Sequence, residues 1–304
     1  MENNSLQQFD ICIPTFKRPH SLGRLLTELT KHVDDRIARI YVVDNDKDQS
    51  AKPVVEKFGD FVKYDCVPEQ NIALARNKLI AISSSPWLLF IDDDEMPDQY
   101  WLDEMYRATQ VTGADCIVGP VVTTYPASTP LWIVKGGYFQ RKRFPNGSIA
   151  KERRTGNLLI KRELFHIAGY FNPDFGLTGG EDSDFFFRLD KLGIQIFWWD
   201  KAIVYEELPP YRATLHFLLK KQYRHAQIEV RLYVLTKEPG KLFYFLQKKI
   251  IIFVFRLLSA PISLVMGVKP LVLLLTSMSA LAGALSGLSG KEYLFYRMER
   301  SNVT

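Results

Sequence analysis

Cysteine is scarce: three residues in 304, Cys12, Cys66 and Cys116. Scattered as they are, they show neither metal-ligand spacing nor a disulfide framework, and they fit a reducing cytosol. The opening stretch MENNSLQQFD lacks the basic-then-apolar order of an export signal. Also missing is a compact basic and aromatic patch of the kind that reads bases, so no nucleic-acid partner is expected. Core-forming residues are not lacking. Hydrophobic residues make up 47% and charged residues 24%, which excludes wholesale disorder and allows one large domain or two modest ones.

Acidic and basic residues are unevenly distributed. Residues 201–304 hold 15 Lys and Arg against 6 Asp and Glu, whereas the first 200 hold 24 against 28. An acidic first part followed by a basic, apolar tail points to a membrane surface. Within that tail, Ile250 to Met266 is apolar apart from Arg256, Ser259, Pro261 and Ser263, and Leu271 to Leu288 carries no charge. Each stretch is near the lower limit of about 20 residues for a membrane span. Lys248, Lys249, Lys291, Arg297 and Arg300 flank the pair, and Lys269 alone lies between them. That asymmetry fits a helical hairpin with both ends in the cytoplasm. Two helices lying in the headgroup plane fit nearly as well, because Arg256 and Pro261 weaken the first span.

Residues 9–120 alternate between strand-like and helix-like patterns. Phe9 to Ile13, Ile40 to Val43, Phe61 to Tyr64, Trp87 to Ile91 and Cys116 to Gly119 read as strands. Between them, Leu22, Leu25, Leu26 and Leu29 recur at helical spacing behind a capping Ser21, and Ile72 to Ile82 reads as a second helix. Such β-α-β alternation predicts a doubly wound sheet with ligands at its C-terminal edge. Tyr125 to Arg154, rich in Pro, Gly and basic residues, reads as a long mobile loop. A strand from Thr155 to Ile160 follows, then helices from Glu163 to Ala168, Asp182 to Leu192 and Arg212 to Lys237.

Two acidic clusters carry the chemistry. Asp92-Asp93-Asp94-Glu95 leaves the apolar run Trp87 to Ile91, and Glu181-Asp182-Ser183-Asp184 follows Gly179-Gly180. Gathered carboxylates repel unless a cation or a proton-transfer task offsets them. Asp92 and Asp94, one residue apart at a strand's end, offer the oxygen ligands that Mg²⁺ or Mn²⁺ prefers. Gly179 and Gly180 allow close approach to a sugar, and Asp182 could take a proton from a hydroxyl or cap its helix. Asp44 ends the second strand, where a carboxylate can accept from a ribose, although Asp-Asn also makes turns. Thr15 lies on the same edge; Arg18 and Arg76 could reach a phosphate or be solvated. His225 reads as a surface group and Trp198-Trp199 as core.

Taken in order, Pro-Thr-Phe-Lys-Arg, Val-Val-Asp-Asn, Asn-x-Ala-x-Ala-Arg-Asn, Phe-Ile-Asp-Asp-Asp-Glu and Gly-Gly-Glu-Asp resemble the inverting family 2 glycosyltransferases of the GT-A fold, over roughly residues 9–200. The chain is similar to the bacterial surface-polysaccharide members, including succinoglycan glucosyltransferases with a hydrophobic tail. The resemblance implies a mixed, mainly parallel sheet flanked by helices, with a C-terminal apolar helical hairpin. The change to a basic, apolar tail divides the chain into a catalytic domain, 1–237, and membrane-associating helices, 238–304. The resemblance further implies a nucleotide-sugar donor (UDP-linked), a Mg²⁺ or Mn²⁺ ion and a lipid-linked saccharide acceptor at the cytoplasmic face of the inner (plasma) membrane.

By motif, Pro14, Thr15, Arg18 and Asp44 would hold the nucleoside and Arg76 would lie near the base or diphosphate. Asp92 would contact ribose or donor sugar and join Asp94 at the metal, and Gly180 would line the sugar site. Asp182 would be the base and Glu181 would orient the acceptor, whereas Asp93 receives no role. Processive members carry Gln-x-x-Arg-Trp after the base; here Gln222-Tyr223-Arg224 has no Trp, so one sugar per encounter is expected. Two rivals remain. A nucleotidyltransferase would carry a Gly-rich loop where Pro14 to Arg18 has none, and an inactive membrane-tethered saccharide-binding scaffold would be expected to lose its acidic clusters.

Overall fold

The computed structural model describes residues 8–263 and 268–290. The chain forms two compact units. One comprises Met1–Thr124, Arg141–Leu177 and Glu181–Glu207, and the other Tyr125–Gln140, Thr178–Gly180 and Leu208–Thr304.

The first unit is built on strands β1 (Phe9–Thr15), β2 (Ile37–Asp44), β3 (Val62–Cys66), β4 (Trp87–Ile91), β5 (Glu95–Pro97), β6 (Cys116–Val118), β7 (Val121–Thr124), β8 (Ser148–Ile149), β9 (Asn157–Lys161), β10 (Phe197–Trp198) and β11 (Val204–Glu207). Its helices are α1 (Pro19–Lys31), α2 (Lys52–Val55), α3 (Ile72–Ile82), α4 (Trp101–Thr112), α6 (Glu163–Ala168) and α7 (Glu181–Lys191); α5 (Leu131–Gly136) belongs to the second unit. Eight strands form one sheet in the order β3-β2-β1-β4-β9-β6-β10-β8, and β5-β11-β7 form a small one. The β3-β2-β1-β4 half is parallel as expected, whereas β9 runs antiparallel to both β4 and β6. This is the mixed, mainly parallel sheet that the family resemblance implies rather than the purely doubly wound one of simple alternation.

Side chains alternate across the sheet with the two-residue period of a strand. Ile11, Ile13, Leu89 and Ile91 face a core layer with Leu22, Leu25 and Leu26 of α1. Cys12, Leu88 and Phe90 face the other layer, with Leu79 of α3 and Phe165 and Phe185 behind them. Each fully buried Leu or Phe contributes about 1.5–3 kcal/mol, and burial on both faces explains why these strands read as unbroken apolar runs. Ser21 does not cap α1. Pro19 already occupies the first turn, where its fixed φ starts the helix and its missing N–H is no loss.

Tyr125 to Arg154 is not one long loop. It contains α5 and β8, and three of its basic residues are anchors. Arg143 pairs with Asp200 at 2.8 Å, Arg141 with Glu206 at 2.6 Å, and Arg153 with Asp190.

The second unit joins α5 to α8 (Leu215–Leu235), α9 (Pro239–Ser263) and α10 (Val268–Leu288). Thr214 caps α8 by accepting from the Phe217 N–H at 3.1 Å. Ile133, Phe139, Leu208, Leu218 and Val272 form its core. Residues 208–237, expected with the catalytic half, pack here with the tail. Of the two apolar stretches, Val268–Leu288 is the one long and apolar enough to cross a membrane among the described residues. The stretch ending at Met266 lies partly outside them; its described portion belongs to α9, which begins eleven residues earlier than the apolar run and carries Lys241, Lys248, Lys249 and Arg256.

Candidate active site

Strand register gathers the site. In the parallel pair β1–β2, Thr15 lies opposite Asp44, and β4 beside β1 delivers Asp92, Asp93 and Asp94 to the same edge. Pro14 and Thr15 are buried there. Thr15 donates from Oγ1 to Asp93 Oδ2 at 2.7 Å. Arg18 donates from Nη1 to Asp93 Oδ1 at 3.0 Å and to Asp94 Oδ2 at 2.8 Å. Asp93, for which the motif offers no role, is therefore a buried hub that ties the end of β1 to the turn after β4. Burial pushes its carboxyl up to about 6, against the pull of Arg18. Its alternation between two outward-turned carboxylates was the available signal.

Asp44 sits at this edge but turns inward. Its carboxylate accepts from the backbone N–H of Asp46 and Ala51 at 3.0 and 2.8 Å and from the Tyr64 hydroxyl at 3.3 Å. Asn45 completes the turn, donating to the carbonyls of Val67 and Glu69 and accepting from the Asn71 N–H at 2.7 Å. Asn71 in turn caps α3 by accepting from Ala73 and Leu74 N–H. The Asp-Asn turn thus fixes the start of the helix that carries Arg76.

Arg76 joins the two acidic clusters. From its buried position it donates through Nη2 to Asp92 Oδ1 at 3.2 Å and through Nη1 to Glu181 Oε1. The guanidinium also lies over the Phe171 ring, 5.9 Å from its centroid. Glu181 is buried as well, and its Oε2 has no hydrogen-bond partner among the described residues. Burial pushes the Glu181 carboxyl up to about 7 in spite of Arg76. Next along α7, Asp182 is half-buried and accepts from the Ser183 N–H at 2.7 Å through Oδ1. The turn before it requires glycine, since Gly179 and Gly180 take φ of 82° and 102°.

A second group of acids surrounds Asp92. β11 pairs with β5 so that Glu206 lies opposite Glu95. Glu95 accepts from the Asp92 N–H at 3.1 Å and is held well above the usual carboxylate range by burial, then by Asp92 and Glu206. Asp92 is raised for the same first reason, with Arg76 opposing. Arg141 pairs with Glu206, and Arg154 lies within electrostatic reach of Arg141, Asp182 and Glu206. Burial and the neighbouring Arg141 both lower the pKa of Arg154, whose guanidinium makes no hydrogen bond or ion pair among the described residues. Glu95, Glu206, Arg141 and Arg154 come from the short strand β5, the distant strand β11 and the supposed loop, so no sequence motif joined all four. Trp198 and Trp199 are core, and His225 is exposed on α8.

No three His, Cys, Asp or Glu side chains among the described residues converge to hold an ion by themselves. A cation of the Mg²⁺ type does not need three. It is bound through one or two carboxylates together with substrate phosphates and water. Asp94 is partly exposed, with Oδ2 on Arg18, and Asp92 stands beside it among acids whose charges repel one another. These donors fit a divalent cation completed by a diphosphate.

Comparison with known proteins identifies the fold and the family. The structure of GalNAc-T7 with UDP, GalNAc and Mn²⁺ superposes with a TM-score of 0.56 at 14% identity, covering 74% of this chain and 51% of that one. S. aureus TarS 1–349 in complex with UDP gives 0.51 at 16%, covering 94% of this chain and 93% of that one. The fold is GT-A. The profile of glycosyl transferase family 2 matches residues 10–172. The succinoglycan biosynthesis protein ExoM of Rhizobium meliloti (strain 1021) is 32% identical over 238 residues, 76% of this chain and 77% of its own. The glycosyltransferase AglE of Haloferax volcanii is 24% identical, with 77% of each chain covered. The chain belongs to glycosyl transferase family 2.

Proposed function

We propose that the enzyme transfers one sugar from a UDP-linked hexose to a hydroxyl of a lipid-linked saccharide, with inversion, in bacterial polysaccharide biosynthesis. The observation that carries this reading is the Arg76 bridge, which holds the Asp92 and Glu181-Asp182 ends of the site together. ExoM, named for succinoglycan biosynthesis, and neighbours crystallised with UDP support the pathway class and the donor.

Asp182 takes the proton of the acceptor hydroxyl, whose oxygen attacks the anomeric carbon opposite the diphosphate. One displacement inverts the centre. Glu181 Oε2, left open by Arg76, accepts a second hydrogen bond from the acceptor and fixes its orientation. Arg154, backed by Arg141, offers positive charge to the departing diphosphate. Asp94 and Asp92 would hold Mg²⁺ or Mn²⁺, which when bound acts as a Lewis acid toward the leaving group. Thr15, Arg18 and Asp44 set the nucleoside edge, Thr15 and Arg18 through Asp93 and Asp44 through its turn. Residues 1–237 supply the catalytic function, and 238–304 hold the enzyme at the cytoplasmic leaflet, where the acceptor resides.

The test is release of nucleoside diphosphate from a panel of nucleotide sugars, with Mn²⁺ or with EDTA. Release from one donor, abolished by EDTA and in Asp94→Ala, is the expected result. Asp182→Asn should cut turnover at least a hundredfold while leaving nucleotide binding by calorimetry nearly intact. Unchanged turnover in that variant would remove Asp182 from the role of base.

A further inference from the structure

Along α9 one apolar face is exposed among the described residues. On α9, Phe243, Tyr244, Ile250, Ile251, Val254, Phe255 and Leu258 recur at helical spacing and are all exposed, Phe255 and Leu258 by 71% and 74%. The stripe runs about 23 Å along the helix. Lys241 and Lys248 are exposed along its edge. The opposite side of α9 is occupied within its own unit: Arg256 donates to the Leu273 carbonyl of α10 at 2.7 Å, and Phe245 packs on Tyr233 of α8 at 5.9 Å between centroids. α10 adds an outer stripe of its own, Val268, Leu271, Met278 and Leu285.

The inner face of α10 decides how this surface meets a bilayer. Gly283 lies so close to α8 that a Cβ would fall 2.1 Å from the Tyr223 carbonyl oxygen, and one at Gly287 would fall 3.0 Å from Val230. Ser279 donates to the Leu219 carbonyl at 2.7 Å, and Gln227 donates to Ser286 at 3.2 Å. These contacts run in step, so α10 lies alongside α8 over most of its length. α8 carries Lys220, Lys221, Arg224, Glu229 and Arg231. Were α10 to cross a bilayer, α8 would have to enter the hydrocarbon with it, and five charged side chains there are prohibitive. An apolar stripe rimmed by lysines is instead the composition of a helix that lies in the interface.

We propose that α9 and the outer stripe of α10 lie in the headgroup plane of an anionic bilayer and that neither helix crosses it. This rests on the membrane reading given above but selects between its two forms. The observation is the close seating of apolar α10 on charged α8 beside a lysine-edged apolar face that is exposed among the described residues.

The decisive residue is Lys269, exposed at the start of α10. A hairpin spanning the membrane would put it on the far side from the active site; an in-plane pair would keep it on the same side. The full chain carrying Cys66→Ser and Lys269→Cys, in which Cys12 and Cys116 are buried, would be treated with a membrane-impermeant maleimide. Labelling in inverted membrane vesicles and none in intact spheroplasts is expected. Labelling in spheroplasts would overturn the in-plane arrangement while leaving membrane association standing.

Purified protein should also float with vesicles of phosphatidylcholine and phosphatidylglycerol. Binding should fall at least tenfold in Phe255→Glu/Leu258→Glu, with donor hydrolysis and melting temperature unchanged. Absence of flotation, with a dimer formed through this face, would overturn the lipid assignment, and donor hydrolysis measured on the same sample would report separately on the enzyme class.

Discussion

A buried guanidinium between two carboxylates cannot be replaced by an uncharged group without stranding its partners, and Arg76 stands in that position between Asp92 and Glu181. Arg76→Met should lower the melting temperature and destabilise the fold by about 3 kcal/mol, and kcat/KM should fall with it. Adding Glu181→Gln should restore most of the stability but not the activity, because the link to Asp92 is still missing; thermal denaturation and turnover of the single and double variants would separate the two effects.

Glu181 also sets a pH dependence. Its folded-state carboxyl titrates near 7, above its ordinary value of 4.5. The folded protein therefore holds that proton more tightly than the unfolded chain does, and this contribution to stability is lost as pH rises from about 4.5 through 7. The melting temperature of the native chain relative to Glu181→Gln should decline across that window and then level off, as differential scanning fluorimetry from pH 4.5 to 8 would show.

At the scale of elements, the antiparallel β9 brings a glycine against the acidic turn. A Cβ on Gly156 would fall 2.5 Å from Glu95 Oε1 and 3.0 Å from Asp92 Oδ2. Neither carboxylate can retreat easily, since Glu95 accepts from the Asp92 N–H and Asp92 is held by Arg76. Gly156→Ala should displace Asp92 and weaken nucleotide binding at least tenfold, measured by calorimetry with UDP. The same crossing of β9 shows what periodicity could and could not reveal. Thr155 to Ile160 is legible as a strand, but its direction depends on the path of the chain between β8 and β9. Arg141, Arg143 and Arg153, on the stretch before β9, looked like loop residues because their partners, Glu206, Asp200 and Asp190, are 37 to 65 positions away.

For the molecule as a whole, the compact units cut across the order of the sequence. α8 buries Ala226 and Val230 together with Ala280 and Ala284 of α10, so a chain ended at residue 237 would expose that face. Such a chain should aggregate or melt at least 5 °C below the full-length protein, and size-exclusion chromatography with scanning fluorimetry would check it. A monodisperse, equally stable product would show that α8 does not depend on the tail.

The sequence by itself determined the parallel half of the sheet, because strands buried on both faces must be continuously apolar and their helices must repeat at 3.6 residues. It also determined where carboxylates leave the sheet edge, since Asp92 to Asp94 and Asp182 sit at element ends marked by apolar runs and glycines. Tertiary structure alone decided which carboxylates work outward and which hold the site together. Asp93, Asp44 and Glu181 turn inward because Thr15, Arg18, Ala51, Tyr64 and Arg76 are brought to them from other elements. A hydrogen bond across 70 or 100 positions leaves no periodicity in the chain, and only folding makes it.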